Sequence, residues 1–146
     1  MNRAGFFSAL VGMALLLWLA AVPQAQAHNR SQSYSSWNVS GATVELLFTV
    51  KAREVTRLPP LEGNLLTLEA LLAAHLGETI RVSSIDGTAC VAKEGPQALT
   101  AAEGYLRMRA IFDCRAAPAS TVQLDSFFSM APSHVHYARV LTDGDL

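Results

Sequence analysis

Between Thr43 and Lys51 apolar and polar side chains take turns. Val44, Leu46, Phe48 and Val50 alternate with Glu45, Thr49 and Lys51. A period of two marks a strand with one buried face. The pattern predicts a strand through "TVELLFTVKAREV". A second stretch, "GYLRMRAIFDC", repeats it more cleanly. Leu106, Met108, Ala110, Phe112 and Cys114 share one face, and Arg107, Arg109 and Asp113 share the other. The basic face reads as solvated, and Met108 as core packing. "SQSYSSWNV", rich in serine with Tyr34 and Trp37, reads as an exposed first strand. Ser40-Gly41 then turns it into a hairpin with the strand that follows.

The period changes once. In "LLTLEALLAAHLGE", Leu68, Leu71, Leu72, His75 and Leu76 recur at helical spacing. Thr67 is the predicted N-cap, without a capping box because Ala70 stands where a Glu would be needed. Gly77 is the predicted stop, giving a helix of about 10 residues. "TIRVSSID" returns to alternation. Asp86-Gly87 predicts a hairpin with "TACVAK", and "EGPQ" reads as a loop. "TVQLDSFF" and "SHVHYARVL" complete the set of strands. The expected fold is an antiparallel β-sandwich of about seven strands with one inserted short helix.

The segment ahead of these elements has another character. Arg3 precedes a nearly continuous apolar run from Phe6 to Val22, and Pro23 ends it. Ala25-Gln26-Ala27 then matches the small-x-small site of a secretory signal. The expectation is a signal peptide over 1–27 and an exported domain over 28–146; a retained N-terminal anchor is the alternative. Without Arg3, ten Lys and Arg face twelve Asp and Glu, two negative charges net. No basic stripe is available for phosphates, which argues against nucleic acid. Cys90 and Cys114 are the only cysteines. An even count in an exported chain favours a disulfide over two thiols, worth about 3 kcal/mol in the chain-entropy model.

Candidate chemistry rests on the histidines. His134 and His136 are two apart on an expected strand, so they face one way. Cleavage after Ala27 would make His28 the first residue and add an amine and a third imidazole. Nitrogen donors of this kind suit copper, nickel or zinc. The opposing reading is a structural or interface pair packed on Tyr34, Trp37 and Tyr137. His75 lies beside the apolar stripe of the helix. Arg53, Glu54 and Arg57 read either as an ion network closing one end of the fold or as a docking patch. No nucleophile–base pair, phosphate loop, zincin helix or paired-carboxylate motif stands out, and no small-molecule substrate is evident, so an enzyme is not expected.

Five ordered segments, "SQSYSSW", "FTVKAREVTRLP", "LEALLAAHL", "GYLRMRAIFDC" and "APSHVHYARV", resemble the extracytoplasmic N-terminal domain of HupE/UreJ-like membrane proteins. The resemblance implies a domain in the periplasm or on the outer face of the cytoplasmic membrane. It implies an accessory role in transition-metal uptake, nickel above all, and a membrane transporter domain or inner-membrane partner. The family's membrane helices are not among these residues, so the chain is expected to be a piece of a longer protein or a stand-alone relative. A soluble copper-binding protein and a ligand-free interaction module are the alternatives.

Overall fold

The computed structural model describes residues 31–60, 67–115 and 118–143; the expected leader, its cleavage point and His28 lie outside the described residues. The fold is mainly β. In chain order the elements are β1 (Gln32–Ser40), β2 (Thr43–Lys51), α1 (Ala52–Val55), α2 (Leu68–Thr79), β3 (Ile80–Ser84), β4 (Val91–Leu99), β5 (Tyr105–Asp113), β6 (Ala119–Leu124) and β7 (Val135–Thr142). Five strands form one sheet in the order β4-β5-β2-β1-β7, and β3 and β6 form a second, two-stranded sheet.

The alternating segments do what their period requires. β2 lies between β1 and β5, antiparallel to both, with Leu46 opposite Trp37 on one side and Ala110 on the other. Val44, Leu46, Phe48 and Val50 are buried with Leu106, Met108, Ala110 and Phe112. Leu72 and Leu76 of α2, with Ile80 and Val82 of β3, complete the same cluster. The opposite face of the large sheet carries an ion cluster, in which Arg109 bridges Glu45 and Glu94. Arg109 is thus tied rather than freely solvated.

Several expectations are corrected. "AREV" is a helical turn, not the end of a strand. Glu54 and Val55 are both buried, and two consecutive inward residues are incompatible with a period of two. The second helix runs through Gly77 to Thr79. It passes straight into β3, and the Ile80 amide bonds to the Leu76 carbonyl, so no left-handed terminus is formed. Its start is as expected, with Thr67 Oγ1 accepting from the Ala70 amide at 3.3 Å.

Asp86-Gly87 does turn, with Gly87 at φ +82°, but β3 takes β6 as its ladder partner and meets the returning chain at the single Ser83–Ala89 bridge, beside which the Ser84 hydroxyl donates to the Thr88 carbonyl. "EGPQ" lies inside β4, where the register shifts twice. Pro96 is tolerated there because β4 is an edge strand and needs no donor on its open side. The sheet is also mixed rather than antiparallel, for β7 runs parallel to β1 from the Gln32–Val135 pair to the Val39–Thr142 pair.

Candidate functional site: a serine–histidine ladder

The parallel pairing of β1 and β7 brings two polar rows together. On β1 the residues facing the core are Ser33, Ser35 and Trp37, with Ser31 just ahead of the strand, and all four are buried. His134 immediately precedes β7 and His136 lies within it; the Val135 amide bonds to the Ser31 carbonyl at 3.0 Å and sets the register. The side chains interleave. Ser31 Oγ is 2.6 Å from His134 Nδ1, and Ser33 Oγ is 2.7 Å from His134 Nε2. Ser33 Oγ also lies 2.7 Å from His136 Nδ1, and Ser35 Oγ lies 2.8 Å from His136 Nε2. The Trp37 indole N–H closes the row by donating to Ser35 Oγ at 2.9 Å.

Aromatic rings hold the imidazoles flat. His136 stacks on Phe48 with centroids 5.9 Å apart, and His134 stacks on Phe127 at 5.2 Å. Phe128 meets His134 edge-on. Phe127 has φ +66°, a left-handed conformation unusual for a bulky residue. Its ring is buried and also contacts Phe48 and His75. The segment between β6 and β7 is therefore held in a costly conformation that places an aromatic plate against the ladder.

The electrostatics follow from burial. Desolvation pushes the His134 imidazole below its ordinary value, partly offset by the Glu54 charge. Desolvation and the neighbouring His134 push His136 down to about 4. His75 is also lowered, by burial against the opposing pull of Glu78, and its Nε2 is buried without a hydrogen bond. For Glu54, burial acts to raise the carboxyl. The Ser31 hydroxyl, with Arg57 and Arg53, outweighs it and holds the group below its ordinary range. Glu54 is almost wholly enclosed, whereas Arg53 and Arg57 reach it from outside at 3.2 and 3.0 Å. Glu54 Oε2 meets Arg57 as an ion pair without the alignment of a hydrogen bond.

The residues singled out in the sequence thus fall into three places. Cys90 and Cys114 form a disulfide. His134 and His136 share one face, as their spacing predicts, and Glu54 of the Arg53, Glu54 and Arg57 set is near enough for its charge to act on His134. Among the described residues no three metal-ligating side chains converge. As folded, the histidine pair does not offer an open donor set, because every ring nitrogen is within 2.8 Å of a serine hydroxyl.

The packing partners are Phe48, Phe127 and Phe128, not the expected Tyr34, Trp37 and Tyr137; Tyr34 and Tyr137 stack on each other, half exposed. The serines were expected in solvent. A matching signal exists in the sequence, since Ser31, Ser33 and Ser35 repeat with the same step of two as His134 and His136. Among the described residues no helix is long and apolar enough to cross a membrane. No protein-family model matches the chain, and no curated protein matches it.

Proposed function

We propose that the chain is an exported accessory domain that acts by contact with a membrane partner, in service of transition-metal uptake, nickel above all. Its two sheets are read as unequal halves of a sandwich, working in the periplasm or at the outer face of the cytoplasmic membrane. The resemblance to the exported domain of HupE/UreJ-like proteins suggests the partner, and the disulfide is compatible with an oxidising compartment.

The observation that carries the reading is the arrangement of α1. A buried carboxylate, Glu54, holds two guanidinium groups side by side, and the Arg53 and Arg57 side chains remain 51% and 57% exposed. Anchored arginines lose little freedom when they meet an acidic surface, which makes them economical docking groups. Arg53→Glu with Arg57→Glu is expected to lower cellular nickel uptake at limiting nickel severalfold while the domain is still exported and folded. Uptake equal to that of the unmodified protein would refute the docking role.

A soluble copper- or nickel-binding protein is the second reading. It is favoured by two imidazoles held neutral, the form a metal requires, but it needs the ladder to open. Titration of the chain beginning at His28 is the test, beside a version with one extra residue before His28 and the His134→Ala variant. Tighter binding by the unextended chain, weakened by His134→Ala, is the signature of a three-histidine site. Equal affinity in all three sinks it.

A further inference from the structure

The two edges of the large sheet are built differently. β4 is interrupted by Pro96 and two register shifts, devices that keep an edge from recruiting another strand. β7 has neither. It pairs with β1 from Val135 to Thr142 without a shift, contains no proline or glycine, and carries Arg139 as its one charged side chain at neutral pH. Among the described residues no strand lies beyond it. The Val135 amide bonds to the Ser31 carbonyl, so Val135, Tyr137, Arg139 and Leu141 turn their backbone groups toward β1. His136, Ala138 and Val140 turn theirs outward, toward the open edge.

The side chains along this edge lack the cover that a neighbouring strand would give. Val140 lies opposite Trp37 on the core side yet is 49% exposed, so the apolar surface of the core runs out to the edge uncovered. On the other side Tyr137 stacks on Tyr34 and is 51% exposed. Tyr34 belongs to β1, so the bare face of the Tyr137 ring is the one turned to the edge. Arg139 follows on the same side of β7, exposed and without an ion pair among the described residues.

We propose that a second copy of this chain occupies the edge, its β7 running antiparallel to the first around a two-fold axis at Ala138. An axis perpendicular to the sheet keeps both core faces on one side. Residues directly opposite each other must then share a face, so the axis passes through a residue rather than between two. Axes at Ala138 and at Arg139 use the most of β7. The second sets Arg139 against its own copy, like charge on like charge. The first sets Arg139 of each copy against Tyr137 of the other, on the bare face of the ring, and makes that cation–π pair twice. It also sets Val135 against Leu141, His136 against Val140, and Ala138 against itself, so Val140 is covered and no charge meets its like. His136, Ala138 and Val140 form the hydrogen-bonded pairs, and the two five-stranded sheets become one.

A strand from a different protein would use the same backbone groups. The reciprocity of Tyr137 and Arg139, however, belongs to β7 facing itself, and it is what selects the second copy. The seam needs neither Arg53 nor Arg57, so it stands apart from the docking role given to α1.

Sedimentation equilibrium on the full exported chain, with amide hydrogen exchange at high and low concentration, tests the seam. The expected mass is that of two chains, falling to one on dilution. The amides of His136, Ala138 and Val140 should exchange at least about tenfold more slowly in the dimer, while those of Tyr137 and Arg139, bonded to β1, change little. Ala138→Pro removes an outward donor and leaves every bond to β1 in place. It should keep the cooperative melt and weaken association at least about tenfold. Arg139→Glu removes both cation–π pairs and should weaken association at least about fivefold; as a surface change it keeps the test decisive if Ala138→Pro does not fold. A single-chain mass at about 100 µM overturns the proposal and leaves the edge to a different protein. So does a dimer that survives both variants, or one whose protection does not alternate along β7.

Discussion

Leu46→Asp is expected to leave a chain without a cooperative thermal transition. Leu46 is 1% exposed at the centre of the large sheet, between Trp37 and Ala110. A carboxyl there has no partner and must stay protonated. Keeping it protonated at pH 7, about 3 units above the ordinary Asp pKa, costs about 4 kcal/mol. Losing the buried leucine adds about 2–3 kcal/mol. The sum is comparable with the whole stability of a small domain, about 5–15 kcal/mol. Phe112→Asp should act in the same way. Leu47→Asp, one residue along and on the outer face, should change stability by less than about 1 kcal/mol. Circular dichroism melts of the three variants decide it. A native-like transition for Leu46→Asp, or equal damage from Leu47→Asp, would overturn the register.

Replacing Cys90 and Cys114 together by alanine is expected to lower the melting temperature by roughly 10 to 15 °C. The two residues flank the open end of the β4–β5 pair, next to the Val91–Asp113 rung, 24 apart in sequence. Closing a loop of that size removes about 3–4 kcal/mol of unfolded-chain entropy. The bridge matters more here than its entropy alone suggests, since β4 has two register shifts and Pro96 to weaken its ladder. The Cys90 and Cys114 amides also bond to Val82 and Ala42, so the bridge sits where the two sheets approach. Amides of β4 should exchange first in the double variant. A melting shift below about 3 °C would show the hairpin to be held without it.

How legible these features were depended on whether their cause was local. β2 and β5 bury one face each, so their alternation is written residue by residue and was readable. The Thr67 cap and the Ser40-Gly41 turn are equally local. β4 carries no pattern because an edge strand with bulges buries little. The serines of β1 are illegible for the opposite reason: they are buried, but only because histidines about a hundred residues away satisfy them. Local polarity looked like solvent exposure when it was complementarity to a distant strand. The parallel alignment of β7 was hidden likewise, since nothing near either strand encodes which neighbour the last strand will choose.

That pairing also sets a timetable. Ser31 and His134 are 103 residues apart, so the first strand of the domain is synthesised long before the partner that neutralises its polar row. β2 and β5 are separated by less chain and can close earlier, whereas contacts this far apart form slowly. Until β7 arrives, a nascent chain carries Ser31, Ser33 and Ser35 on an unprotected strand edge, the kind of surface that recruits other chains. A ribosome-bound chain stopped before Ala131 should therefore need a chaperone that the finished one does not.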